Sequence, residues 1–496
     1  MSHFTWYDGA IVGVYLVATM AAGIMVRKYV GKVEHFIVAG REMNLYLGIA
    51  SLAATEFGVV TCMYTAQLGY EKGFAGATPG ILMAISMFVV GVTGFCIKPL
   101  RDAGVMTIPE FFQERFGTKV RTMGGVVIVL GGLLNMGIFL RKGGEFLVYS
   151  TGMNPHYLET MMTALLVGVA VYTILGGMLS VLVTDYLQFV VMSVGLIAVT
   201  VLILVNIGWG TLVSAVQSHH GAAGFNPFVG TNTGMGWQFV VFNAIMNFAV
   251  VLTWQTTVAR VLAAKDTATG RRVYTATSFF FVCRFLIPGI WGIAALATLA
   301  PGIITKETTA FAMPMFLCTF VPAGLMGLLI AAMLAADMST DSSYMLTWAS
   351  VIYNDILAPF RRRRQWTERR GLLVNRAIVA AIGLFLLFYG LWYPLQGNVW
   401  DYLTVTGSIY LSSMATMLIA CCYWKRANNW GATGAIILGA AIPLGFLILK
   451  FLYPKQLEPP VYAHYSGIAS YVLAAAAMIV GSLLKPAGKK VVAANE

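Results

Sequence analysis

Three residues of one apolar stretch, Ala336, Ser339 and Thr340, stand at spacing i, i+3, i+4, which on a helix turns one carbonyl and two hydroxyls to a single face. Oxygens grouped in this way suit a hard cation such as sodium. In a membrane protein such an ion is held by carbonyls freed where one helix unwinds and by hydroxyls on its neighbour. A second stretch, Ala53-Ala54-Thr55-Glu56-Phe57-Gly58, provides the interruption, because a carboxylate and a glycine break an apolar run there. Ala53 and Glu56, three apart, are placed to offer two further carbonyls. The plain alternative is that Ser339 and Thr340 only bond their own backbone four residues back, as such residues commonly do in membrane helices.

The Ala336 stretch continues as Asp337-Met338-Ser339-Thr340-Asp341-Ser342-Ser343, and polarity of this kind at membrane depth is tolerated only where it lines a protein-buried or watery cavity. A binding site is therefore expected between the two stretches. Phe57, Val60, Trp254 and Gln255 are candidate walls, which suits a small solute with a partly apolar face. Other charges fall in apolar surroundings as well. Glu56 is long enough to reach sodium, a solute or a proton, or to pair with a basic residue of the bundle. Arg141 and Glu145 are four apart and either neutralise one another or leave Arg141 or Lys142 for a solute carboxylate. Arg284 reads as half of an internal ion pair or as a cytoplasmic gate contact.

The elements that position these residues are membrane helices. Of the 496 residues, 58% are hydrophobic and only 10% are charged, whereas a soluble domain carries about a quarter of its residues as charged ones. Apolar runs long enough to cross the bilayer recur from residues 7–26 to 465–484, about 13 in all. The chain reads as one transmembrane domain with an extra N-terminal helix at 7–26, a core at 42–423, two extra helices at 431–484 and a basic tail at 485–496. Basic residues gather in alternate loops, among them Lys98, Arg101, Arg115, Lys119 and Arg121, then Arg271 and Arg272, then the run Arg361 to Arg364. This bias places the N-terminus outside and the C-terminus inside.

The net charge of +12 is thus spent on topology, and no nucleic-acid patch forms. The six cysteines show no metal or disulfide spacing, the six histidines form no metal pair within a span, and no phosphate-binding loop is present. An enzyme and an ATP-driven pump are thereby excluded as readings. Sodium, a small solute and the lipid bilayer are the expected partners, with no obligate protein partner.

Four motifs carry a resemblance. They are Gly40-Arg41 through Gly58; Tyr172-Thr173-Ile174-Leu175-Gly176-Gly177 followed by Thr184-Asp185-Tyr186-Leu187-Gln188; Trp254-Gln255 with Arg260 and Leu262 to Asp266; and Ile330 to Ala336 leading to Ser339-Thr340. In this order they resemble the sodium:solute symporter family, which includes bacterial proline, galactose and sialic acid symporters. The resemblance implies a LeuT-like 5+5 inverted-repeat core in the plasma (bacterial inner) membrane. It also implies inward symport of an amino acid, sugar or carboxylate with Na⁺ by alternating access. The conserved sodium site would fall on carbonyls of Ala53, Glu56 and Ala336 and hydroxyls of Ser339 and Thr340, and a second, found in some members, on Asp185, Ser339, Ser342 and Ser343. Candidate solute contacts are Thr55, Phe57, Val60, Asn135, Arg141, Trp254 and Gln255. Asn135 aligns with the position that binds carboxylate in members resembling the sialic acid carrier. Glu56 departs from the pattern, being apolar in some members and aspartate in the proline symporter. Two other readings stay open: proton coupling through Glu56, and a non-transporting sensor on the same fold.

Overall fold

The structure, a computed structural model, describes residues 4–485 except 30, 231–233, 307, 358, 361–365, 394–397, 454–455 and 458–460. The Arg361 to Arg364 run and residues 486–496 of the basic tail lie outside the described residues. What is described is helical, the one β-type pairing being an isolated bridge between Met43 and Ala264.

In chain order the main helices are α1 (Trp6–Val26), α2 (Leu45–Glu56), α3 (Val59–Lys72), α4 (Thr78–Thr93), α5 (Ile108–Met136) and α6 (Phe139–Thr151). They are followed by α7 (Leu158–Asn206), α8 (Gly236–Thr253), α9 (Gln255–Ala263), α10 (Thr267–Thr298) and α11 (Leu325–Val351). The last four are α12 (Glu368–Trp392), α13 (Val399–Tyr423), α14 (Asn429–Leu452) and α15 (Val461–Leu484). Among the described residues, 11 helical stretches are long and apolar enough to cross a membrane.

The longest single helix is α7, with 49 residues. At 1.5 Å per residue it would extend about 70 Å, more than twice the hydrocarbon thickness of about 30 Å. It bends at Gly177, whose φ of 54° and ψ of −149° only glycine adopts readily. A Cβ at this position would lie 2.5 Å from the Phe36 ring. The motif read from Gly176-Gly177 is thus the corner between two arms of one helix.

Burial ranks the helices. Of the apolar window in Leu325–Ile356, 89% is buried by protein, against 17% in α1, so α11 is the central post and α1 an outer helix facing lipid. Asp8 ties α1 to that post, since its Oδ1 accepts from the amides of Gly324 (2.8 Å) and Gly327 (2.6 Å). Lipid tails are as apolar as the helix faces, so contacts between helices depend on close fit and polar bonds. The polar bonds converge on α11, where α2, α7 and α9 meet it.

Candidate ion and solute site

Helix α2 stops at Glu56 because the backbone leaves the helical region at Phe57 (φ −117°, ψ 78°) and again at Gly58 (φ −85°, ψ 170°). The Phe57 amide reaches back three residues to the Ala54 carbonyl at 3.3 Å, so it does not take the Ala53 carbonyl it would cap in a regular helix. Gly58 lies against α11: a Cβ there would sit 2.8 Å from Thr340 Oγ1. Only a residue without a side chain lets the break and the central helix come so near.

On α11, Thr340 Oγ1 donates to the Thr55 carbonyl at 3.0 Å and Ser339 Oγ donates to Asp185 Oδ1 at 2.6 Å. Neither hydroxyl folds back on its own helix. Ser350, on the same helix, does, donating to the Leu346 carbonyl at 2.8 Å. The back-bonding alternative therefore describes Ser350 and not the two candidate ligands: Thr340 lies in the seam between α2 and α11, and Ser339 turns to Asp185 on α7.

Beside this seam is a fully buried charge network. Arg260, on α9, sends Nη2 to Asp185 Oδ2 (3.2 Å), Thr55 Oγ1 (2.5 Å) and Ser343 Oγ (2.6 Å), and its Nε to Ser51 Oγ (3.1 Å). Asp185 Oδ2 also accepts from Ser51 Oγ at 2.5 Å. A lone ion at this depth is costly, and each partner here supplies what the other lacks. Ser342 stays out of the network and donates to the Ser339 carbonyl at 3.1 Å. Asp185, Ser339 and Ser343 are thus gathered together, with a guanidinium already among them.

Glu56, 3% exposed, turns its side chain the other way. Oε1 accepts from Thr257 Oγ1 at 2.7 Å, and Oε2 faces Arg284 Nη1 at 3.4 Å. Arg284 is held in turn by Tyr64 OH at 2.9 Å and Thr61 Oγ1 at 3.3 Å. The paired reading of both residues, as two halves of an internal ion pair, is what the geometry displays.

This pair borders a central cavity whose walls include Val60, Asn135, Trp254, Tyr344 and Trp400. Of the sequence candidates, Val60, Asn135 and Trp254 line it; Asn135 also anchors to the Leu403 carbonyl (2.9 Å) and Trp254 donates to Tyr344 OH (3.1 Å). Four others lie elsewhere. Thr55 is in the Arg260 network. Phe57 is buried against Phe280, ring centroids 6.4 Å apart. Gln255 Oε1 accepts from the Ile108 amide at 3.2 Å. Arg141 meets Glu145 at 3.1 Å and the Gly390 carbonyl at 3.0 Å, and Lys142 meets the other Glu145 oxygen at 2.7 Å. Asp337, Tyr344, Trp400 and Phe139 line the cavity and were not read as wall residues. The available signal was phase, because residues 337, 340 and 344 share the face of α11 that follows from the Thr340 placement.

Comparisons with known proteins show the family and the fold. Residues 36–439 match the sequence model of the sodium:solute symporter family. Sodium/glucose cotransporter 4 of Danio rerio is 26% identical over 523 residues, covering 95% of this chain and 78% of the relative. A sodium/mannose cotransporter of Bos taurus is 27% identical over 532 residues, covering 97% and 87%. A solved structure of a Na⁺-coupled sialic acid symporter, in a substrate-bound outward-open state, superposes with a TM-score of 0.81 over 97% of this chain and 98% of that one, at 19% identity. At that identity the superposition speaks to fold alone.

Proposed function

The chain belongs to the sodium:solute symporter family, and from that premise we propose how its sodium-coupled symport of a small solute is built. It is a multi-pass membrane transporter and not an enzyme. We place sodium between the break and the central helix, on carbonyls of Ala53, Glu56 and Ala336 and hydroxyls of Ser339 and Thr340. The observation that carries this is the direct seating of Gly58 and the Thr55 carbonyl on Thr340. The Ala53 carbonyl without its regular partner supplies a ready oxygen. The solute occupies the adjacent cavity, beside Val60, Asn135 and Trp254.

Coupling follows from position. An ion bridging α2 and α11 favours one relation of the two helices, and Thr340 belongs to both the ion site and the cavity wall. A solute that prefers the same relation binds more tightly when sodium is present, and the converse holds by linkage. Each positive charge carried inward gains about 2.3 kcal/mol per 100 mV of membrane potential.

Asp185 is the nucleus of the second candidate sodium site, with Ser339, Ser342 and Ser343. Arg260 already provides its positive charge, and Ser342 points to its own helix. We therefore assign Asp185 to holding α2, α7, α9 and α11 together, with one sodium per cycle. Glu56 is engaged by Thr257 and Arg284, which favours sodium over proton coupling.

For topology, the 35-residue stretch, completed by α2 across its break, and the 52-residue stretch, bent at Gly177, each hold two crossings, while the 44-residue stretch opens on the charged run Glu110 to Arg121 and holds one. This supports thirteen crossings, N-terminus out and C-terminus in, with an inverted-repeat core at 42–423 in the plasma (bacterial inner) membrane, across which ion gradient and potential act together. The test is sodium-driven uptake in proteoliposomes with Ser339→Ala and Thr340→Ala. Each variant is expected to raise the sodium concentration for half-maximal uptake about tenfold, the loss of one oxygen worth roughly 1.4 kcal/mol. Unchanged sodium dependence in both would remove these hydroxyls from the site.

A further inference from the structure

Within the spans, buried carboxylates are matched by cations: Glu56 by Arg284, Asp185 by Arg260, Asp355 by Arg121, and Glu145 by Lys142 and Arg141. Three are not. Asp8 is met instead by the amides of Gly324 and Gly327. Asp337 and Asp341, one turn apart on α11, are 2% and 1% exposed. Among the described residues, no Lys, Arg or His nitrogen lies within 4.0 Å of either. Asp337 Oδ2 and Asp341 Oδ1 have no hydrogen-bond partner.

Asp337 also lines the central cavity. Its carboxylate reaches this position by lying over Gly143 of α6, where a Cβ would come within 2.8 Å of Oδ2. The cavity wall next to it is aromatic: Phe139 packs on Tyr344 with centroids 5.4 Å apart, Tyr344 on Trp254 at 5.8 Å, and Tyr64 on Trp400 at 4.9 Å. Of the three ionisable cavity residues Glu56, Arg284 and Asp337, the first two neutralise one another. Asp337 is thus the one cavity carboxyl, among the described residues, with no charged side chain beside it, and its ionised form lacks a counter-charge.

We infer that the transported solute carries a single positively charged nitrogen, and that Asp337 is its counter-ion. This rests on the symporter reading above and narrows its substrate class. An isolated carboxylate at membrane depth requires a partner, and a solute ammonium entering the cavity supplies one. The aromatic faces fit a large, weakly hydrated cation. A small metal ion would instead demand a shell of oxygens, such as the carbonyls and hydroxyls gathered at the seam between α2 and α11. Arg141 and Lys142 both contact Glu145 and are not among the residues lining the cavity.

The full-length protein in detergent tests this by thermal shift at pH 6, with and without Na⁺. The charged probes are choline and glucosamine, and the neutral probe is glucose, which differs from glucosamine by one hydroxyl in place of the ammonium. Choline or glucosamine is expected to stabilise the wild type at concentrations at least tenfold below glucose. Asp337→Asn should erase that preference while keeping the stabilisation by Na⁺ alone, which also reports that the variant is folded, and Asp337→Glu should retain the preference. Glucose binding as tightly as glucosamine, no response to either charged probe, or an intact preference in Asp337→Asn would each overturn the inference. A wild type that prefers the charged probes but ignores Na⁺ would instead count against the sodium assignment and leave this one standing.

Discussion

Gly58→Ala is the sharpest probe of the proposed ion seam. The backbone at Gly58, with φ −85° and ψ 170°, is open to alanine, so the substitution acts through space alone. Its Cβ would stand 2.8 Å from Thr340 Oγ1, 3.2 Å from Thr340 Cβ and 3.3 Å from Cγ2. Ordinary contact begins near 3.4 Å, so the two helices must part by about half an ångström, or Thr340 must turn. Turning sacrifices its bond to the Thr55 carbonyl, worth roughly 1 kcal/mol, and parting the helices is an overpacking cost of about 1–3 kcal/mol. On either route the cost falls on the state in which sodium bridges the seam. A loss of about 1–3 kcal/mol in sodium binding weakens it roughly 5- to 150-fold. The assay is the sodium concentration giving half-maximal thermal stabilisation of the purified protein. Gly445→Ala is the control, because nothing lies within 4 Å of the Cβ it would introduce on α14. A Gly58→Ala protein whose half-saturating sodium stays within about twofold of the wild type, on a scale where tenfold is 1.4 kcal/mol, would refute the placement of the ion at this seam.

Two further outcomes can be checked. Glu56→Gln and Arg284→Met should each destabilise the fold by leaving a buried ion without its partner, about 3 kcal/mol. The double variant should recover part of that, with a coupling of roughly 1–3 kcal/mol in a thermal or denaturant double-mutant cycle; a coupling near zero would make the 3.4 Å contact incidental. Sodium activation of uptake should follow a Hill coefficient of about 1, since Arg260 serves Asp185, and a value close to 2 would require a second bound ion.

Some of this was fixed locally, and the sequence alone sufficed for it. A run of twenty apolar residues has one way to satisfy its backbone in lipid, so the helices and their places along the chain follow from composition. The interruption at Glu56 to Gly58 and the polar turn around Ser339-Thr340 were legible for the same reason, because polarity at membrane depth stands out against its neighbours. Partnership was not local. Asp185 meets Arg260 across 75 residues of chain, Glu56 meets Arg284 across 228, and no spacing rule connects them. Facing was not local either. Successive helical residues point about 100° apart, so a boundary uncertain by one or two residues cannot say which of Thr55, Phe57, Asp337 or Arg141 looks into the cavity. The fold decided that Thr55 meets Arg260, that Arg141 meets Glu145, and that Asp337 lines the cavity with no charge, among the described residues, to answer it.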